Sequence, residues 1–350
     1  MYPLFCTQPY PRQQWYMAAW REELTDKPLG RTILGTPIVL YRDQDGKAAA
    51  LDGRCPHRRF PLAKGWVEKG NIVCAYHGFS FGKAGHCVNV PSQSKPLESQ
   101  KTIAFPVHES WNWIWVWMGD PNLVDYALLP SLDLVHAHEQ DWHFVMGGIT
   151  TLRARYMLLH DNLLDLSHLS YLHKNTVGSP GIAAAKVTSH EVSWGLDIMR
   201  EVRGDHMGES PLGKALAIKG PIDRLMAQQY AAPCLHITGP EFRSAEDGGL
   251  DPGRLFGSFR VIHGIVPETE HTTHYFWGFT RNFKHDDLKL SDAIRGNIMA
   301  AVKEDTEASE DIESMLSVSG GPDEISSPAD IIAAKGRRIM KRLIEMELKN

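Results

Sequence analysis

The chain has 350 residues, with 37 Lys and Arg against 42 Asp and Glu, a formal charge of −5. That balance argues against a general nucleic-acid binder, which needs a basic excess on one face. No apolar run approaches the roughly 18 residues of a membrane span, and five cysteines make no disulfide framework. Taken in chain order, the opening MYPLFCTQPYPRQQWY carries prolines and polar residues where a signal peptide has its apolar stretch, so a cytoplasmic chain of about two domains is expected. Residues 30–120 read as all-β, with turn signals at Asp45-Gly46, Gly70-Asn71 and from Gly82 to Gly85. WNWIWVWM alternates, which places Trp111, Trp113, Trp115 and Trp117 on one face of a strand. Gly119-Asp120-Pro121 ends it, and the domain boundary is expected after residue 125, giving domains 1–125 and 126–350. In the second domain, residues 155–173 have helical spacing. Residues 186–204 and 256–283 read as strands, with a hairpin around Pro267-Glu268-Thr269-Glu270. Residues 291–316 and 328–348 read as helices, the last beginning at Ser327-Pro328. The mixture predicts an α+β domain built on an antiparallel sheet.

Two short motifs carry chemistry. The first is Cys55-Pro-His57, then sixteen residues, then Cys74-Ala-Tyr-His77. Two thiols and two imidazoles suit zinc or an iron–sulfur cluster. Each pair offers one thiolate and one imidazole, unlike the usual zinc order of two cysteines followed by two histidines. That suits a two-iron cluster in which Cys55 and Cys74 hold one iron and His57 and His77 the other. Cys6, Cys87 and Cys234 are isolated and read as buried small residues.

The second motif lies in HDNLLDLSHLSYLHKN. Asn162, Asp165 and His168 are spaced by three and share one helix face, whereas His173 lies about 140° further round. For both imidazoles to reach one metal, the helix must loosen between them.

CPH followed by CAYHG resembles the Rieske [2Fe–2S] signature. Asn162, Asp165, His168 and His173 resemble the mononuclear-iron motif of the Rieske non-haem iron oxygenases. The resemblance covers nearly the whole chain. It implies an N-terminal all-β Rieske domain followed by a helix-grip catalytic domain, an α+β architecture overall. Its cofactors are a [2Fe–2S] cluster at Cys55, His57, Cys74 and His77, and mononuclear Fe(II) at His168, His173 and a downstream carboxylate. Asp305 in AVKEDTEASEDIESML falls where that carboxylate is expected, with Asp311 and Glu304 as rivals. The resemblance further implies that Asp165 is catalytic, hydrogen-bonding His168 and, across a subunit boundary, His77 of a neighbouring copy in a homotrimer.

WYMAAW, DKPLGR and the PETE turn with HYFWGFTRNF are most similar to the vanillate O-demethylase and dicamba monooxygenase group. TEASEDIESML departs from the vanillate enzymes, which points away from vanillate itself. The function implied is a terminal oxygenase that uses O2 and reductase electrons to O-demethylate or methyl-hydroxylate a small aromatic acid. His263 and Asn162 are its candidate substrate contacts, with Asn162 also in a catalytic role. Arg200, Arg203, His206 and Arg260 are candidate partners for an acidic substituent. No Gly-x-Gly-x-x-Gly fingerprint occurs, so a separate NAD(P)H-dependent ferredoxin-type reductase is expected as partner. No nucleic-acid or membrane partner is expected. Ring dioxygenation and N-demethylation share the same iron site and stay open. Readings from other classes are a pure Rieske electron carrier and a zinc-stapled binding module.

Overall fold

The computed structural model describes residues 3, 4, 6, 8–207, 211–247, 251–318 and 324–348. It divides into two compact units, one built mainly from Tyr10–Leu129 and the other mainly from Pro130–Ile265 and His271–Met346.

The first unit is all-β. Strands β1 (Trp15–Trp20), β2 (Leu29–Ile33), β3 (Thr36–Arg42), β4 (Ala48–Asp52), β5 (Trp66–Glu68) and β6 (Asn71–Val73) come first. They are followed by β7 (Ser80–Phe81), β8 (Cys87–Asn89), β9 (Ala104–Phe105), β10 (Val107–Ser110) and β11 (Trp113–Trp117). They form three sheets, ordered β1-β11-β10, β2-β3-β4-β9 and β5-β6-β7-β8. Of the four tryptophans expected on one strand face, Trp113, Trp115 and Trp117 alternate along β11. Trp113, Ile114, Trp115, Val116 and Trp117 are all buried, so β11 is covered on both faces. As the middle strand of its sheet it has no edge, and its side chains are β-branched or aromatic, the types that pack well on a pleated surface. Trp111 lies outside the strand, in a turn at φ 55.

The second unit is one antiparallel sheet with helices. Its strands are β12 (His143–Leu152), β13 (Lys186–Val192), β14 (Gly195–Asp205), β15 (Ile222–Ala231), β16 (Leu235–Ser244), β17 (Leu255–Pro267) and β18 (Thr273–Arg281). Their order is β12-β18-β17-β16-β15-β14-β13. The expected hairpin is the β17–β18 pair. β15 and β16, by contrast, carried no sequence expectation. The helices are α1 (Tyr156–Leu164), the short α2 (Gly181–Ala184) and α3 (Pro211–Ala215), the long α4 (Leu288–Leu316) and α5 (Ile331–Glu347). The expected helix over 155–173 is cut short. α1 ends at Leu164, and a tight 3-10 turn, Leu166–Ser170, replaces its continuation.

In α4 the buried positions Leu290, Ile294, Ile298, Ala301 and Val302 recur every three or four residues, a stripe that faces the interior. Asp305, Ser309 and Glu313 continue it with polar groups. Each must therefore find a partner. Glu313 accepts from Arg155, which opens α1, through the main-chain N–H, Nε at 2.7 Å and Nη2 at 2.7 Å. This clamp ties α1 to α4, the two elements that carry the second site. Burial opposes the Glu313 carboxylate, but the Arg155 bonds outweigh it and hold its pKa at about 2. A depressed acid stabilises the fold above its unfolded pKa, and that stabilisation disappears as pH falls from about 4.5 towards 2. We expect Glu313→Gln to lower unfolding stability at pH 7 by roughly 2–3 kcal/mol. The gap from wild type should narrow below about pH 4.5 and close near pH 2 in denaturant titrations; a pH-independent gap would show that the ion pair is not its source.

Candidate metal centres and the cavity

The first motif forms two loops of matching design. In Cys55–Phe60 the N–H of Cys55 donates to Phe60 O (2.9 Å) and the N–H of Arg59 to Cys55 O (2.7 Å). In Cys74–Phe79 the N–H of Cys74 donates to Phe79 O (2.8 Å) and the N–H of Gly78 to Cys74 O (2.9 Å). Both loops need a left-handed residue four places after the cysteine, Arg59 at φ 56 and Gly78 at φ 73. Only the second loop uses the residue type without steric cost there. At Gly78 a Cβ would also stand 2.8 Å from Pro91.

This design sorts the four side chains by depth. Cys55 and Cys74 are buried in a core with Val39, Leu51, Ile72 and Phe81. His57 and His77 are exposed, with ring centroids 4.6 Å apart, and His57 stacks on Phe79. Burial pushes the Cys55 thiol up to about 11, and the adjoining Cys74 adds to the effect. Two adjacent buried thiolates require a cationic centre between them. The donor set, two soft thiolates inside and two imidazoles outside, fits a [2Fe–2S] cluster with unequal irons.

The second motif is assembled by the break after α1. Asp165 accepts the Ser167 N–H at 2.9 Å through its carboxylate and starts the 3-10 turn. His168 comes from that turn and His173 from the irregular stretch that follows. One ligand atom from each of His168, His173 and Asp305 lies within 4.8 Å of the others. His173 Nε2 is 2.9 Å and His168 Nε2 is 3.5 Å from Asp305 Oδ1. The opposite ring nitrogens are already committed. His168 Nδ1–H donates to the main-chain oxygen of Asp165, and His173 Nδ1–H to Glu304 at 2.6 Å. A carbonyl oxygen can only accept, so the first bond puts a proton on His168 Nδ1 and turns its Nε2 towards Asp305. That Nε2 is buried and has no hydrogen-bond partner. Burial works against charge on Asp305, yet His168 and His173 hold its pKa well below the usual carboxylate range. Burial alone would lower His173, but the bonds to Asp305 and Glu304 raise it. Two imidazoles and one carboxylate converging on one point fit a facial-triad metal site.

Several sequence expectations change here. Asp165 meets His168 through its main-chain oxygen, because its carboxylate caps the following turn. Asn162 does not line the cavity described below; its Nδ2 donates to Asp305 at 3.0 Å. Of the rival acids, Glu304 sits on the far nitrogen of His173 and also accepts from Thr176, while Asp311 is exposed.

A cavity of about 390 Å³ opens beside this cluster, and His168, His173 and Asp305 form part of its wall. Most of the rest is apolar, including Leu169, Met226, Phe242, Phe259 and Ile298. His263 also lines it, with Nδ1 2.6 Å from the Tyr275 hydroxyl and Nε2 2.9 Å from the Thr238 hydroxyl. Burial pushes its pKa down to about 4, so it presents a neutral ring. Of the residues named for an acidic substituent, His206 lines the cavity; Arg200, Arg203 and Arg260 do not. Arg200 donates to Ile182 O, Arg203 pairs with Asp223, and Arg260 donates to Ser258. Arg224, which does line the cavity, carried no sequence signal beyond being a charged residue in a strand of mixed type.

Comparison with known proteins agrees with this layout. Residues 14–108 match the model of the Rieske [2Fe–2S] domain, and residues 152–346 match that of the vanillate O-demethylase oxygenase C-terminal domain. The chain is 31% identical to a vanillate O-demethylase oxygenase subunit of Pseudomonas sp. (strain HR199 / DSM 7063), over 97% of this chain and 96% of that protein. It is 34% identical to the iron–sulfur subunit of a toluene-4-sulfonate monooxygenase system of Comamonas testosteroni, over 96% and 97%. The crystal structure of dicamba monooxygenase bound to 3,6-dichlorosalicylic acid superposes with a TM-score of 0.88 at 30% identity, covering 97% of this chain and 99% of that one.

Proposed function

Because the chain belongs to the Rieske oxygenases of the vanillate O-demethylase family, we propose that it removes a methyl group from an aromatic ether, or hydroxylates an aryl methyl, on a small aromatic acid. Oxygenase components of this kind work with a separate electron donor, here an NAD(P)H-dependent ferredoxin-type reductase. The observation that carries the reading is the convergence of His168, His173 and Asp305 at the wall of an otherwise apolar cavity. We assign those three to the mononuclear iron, and Cys55, His57, Cys74 and His77 to the cluster. When bound, the cluster would supply single electrons, and iron held by these two imidazoles and the carboxylate would supply the chemistry of O2 activation.

The chain's own groups prepare the site. Glu304 and the Asp165 main-chain oxygen hold the Nδ1 protons of the two histidines and so set their ring orientation. Asn162 steadies the Asp305 carboxylate. The apolar wall excludes water and positions the aryl ring. In balance, an aryl methyl ether, O2, two electrons and two protons give a hydroxymethyl ether and water; the hydroxymethyl ether then breaks into a phenol and formaldehyde. The reading also takes residues 1–125 and 126–350 as the cluster and catalytic domains, and a homotrimer as the assembly. Exposure of His57 and His77 supports the trimer, since a neighbouring copy could then reach them. A cytoplasmic setting is supported by five cysteines that form no disulfide, and no helix among the described residues is long and apolar enough to cross a membrane.

The test is reconstitution with a ferredoxin-type reductase, NADH and a panel of methoxyaryl and methylaryl acids. Formaldehyde formed in step with O2 uptake supports demethylation, and a hydroxymethyl product supports methyl hydroxylation. O2-dependent turnover of none of them would sink the proposal. Glu304→Ala should weaken mononuclear iron binding about 10- to 100-fold while leaving the cluster spectrum intact. Iron titration against a chelator checks this, and unchanged affinity would remove Glu304 from its role.

A further inference from the structure

Among the described residues that line the cavity, Arg224 is the sole Lys or Arg. It is buried, at 7% exposure, on β15, and it does not float free. Its Nη2 donates to Ser179 Oγ at 2.6 Å, and Ser179 comes from the segment just after His173. Asp205, at the end of β14, stands 2.8 Å from its Nε but out of line with the N–H bond, so that nitrogen has no hydrogen-bond partner. Ser179 in turn donates to Asp205 at 3.3 Å. Ser179 and Asp205 share the cavity wall with Arg224.

A guanidinium held this way is built for a ligand. Burying a lone cation is costly, and Asp205 offsets that cost when the cavity holds no substrate. Yet Ser179 and Asp205 together use only part of a planar group with five N–H donors. Of the pair, Asp205 is the more exposed, at 16% against 8% for the side chains, so water screens its charge more. An anion in direct contact with Arg224 therefore gains more from the guanidinium than it loses to Asp205. His263 is the weaker anchor, because burial disfavours its charged form and both its nitrogens already face hydroxyl groups.

We propose that Arg224, braced by Ser179 and Asp205, is the residue that holds the anionic substituent of the substrate, a carboxylate or a sulfonate. The proposal rests on the oxygenase reading above. It makes Arg224 the determinant of selectivity for anions over uncharged aryl ethers of the same shape.

The test uses the holoenzyme with its reductase and three probes: 4-methoxybenzoate, 4-methoxybenzenesulfonate and the uncharged 4-methoxybenzamide. Formaldehyde gives kcat and KM, and calorimetry gives binding of each probe without turnover. Wild type should bind both anions at least about 10-fold more tightly than the amide, in line with charge-assisted hydrogen bonds. Arg224→Gln should raise KM for the anions by a similar factor and shrink their advantage over the amide, the loss falling on KM rather than kcat. Arg224→Lys should recover part of the loss, and Asp205→Asn should tighten the anions but not the amide. If Arg224→Gln does not fold, the wild-type preference and Asp205→Asn still decide. Equal affinity for amide and anions, or an Arg224→Gln enzyme that keeps its anion KM, overturns the anchor. Formaldehyde from the amide alone overturns the anchor and spares the demethylase reading. Anion binding that Arg224→Gln abolishes, with no formaldehyde from any probe, upholds the anchor and sinks the demethylase reading.

Discussion

Asp305→Ala is expected to lower the iron content from three atoms per chain to two and to reduce turnover by more than about 100-fold. That figure is the upper reach for disturbing a group that merely supports a metal ligand, and Asp305 is assigned here as a ligand itself. Its Oδ1 stands 2.9 Å from His173 Nε2 and 3.5 Å from His168 Nε2. Without it, two neutral imidazoles remain on that side of the site. Glu304 cannot take over, because it is held on the far nitrogen of His173 and by Thr176. The cluster's visible absorption and spin-resonance signal should be unchanged. Iron analysis of fully loaded protein, paired with formaldehyde assays, checks both parts. Three irons retained in the variant would show that another residue completes the site.

Cys74→Ser is expected to remove the other two irons, leaving one per chain, and to abolish reductase-driven turnover. An alcohol does not ionise as a thiol does, so the soft anionic donor is lost. The cost to the fold is also local. Cys74 is buried among apolar side chains, and a hydroxyl placed there without a partner costs about 1–3 kcal/mol. The purified variant should be colourless in the visible range, less stable to denaturant, and still able to bind one iron. Taken with Asp305→Ala, the two variants separate the centres, since each should delete the irons that the other keeps. Retention of the visible spectrum in Cys74→Ser would sink the cluster assignment.

How much of this was legible in the sequence differs between the two sites. The cluster loops are short, and each cysteine lies two or three residues from its histidine. Local hydrogen bonds, from Arg59 to Cys55 and from Gly78 to Cys74, then suffice to shape them. In the second site the break between His168 and His173 was legible, because an ideal helix cannot point both rings at one metal. The role of Asp165 was not: its carboxylate competes for the Ser167 N–H at a turn start, and the histidine takes the main-chain oxygen instead. The tryptophan strand was legible in part: Trp113, Trp115 and Trp117 share one face of β11 as the alternation of WNWIWVWM implied, whereas Trp111 falls in the preceding turn and the apolar Ile114 and Val116 are buried on the other face.

By itself, the sequence determined the chemistry available: the four residues proposed for the cluster, the two imidazoles proposed for the iron site, their order along the chain and the family they mark. Tertiary structure decided which of several neighbouring acids faces the histidines and which arginine reaches the cavity. Those choices depend on packing between segments far apart in the chain. Asp305 is 132 residues from His173, and Arg224 is 45 residues from Ser179. No local pattern records such distances, because each partner's position is set by the sheet that lies between them.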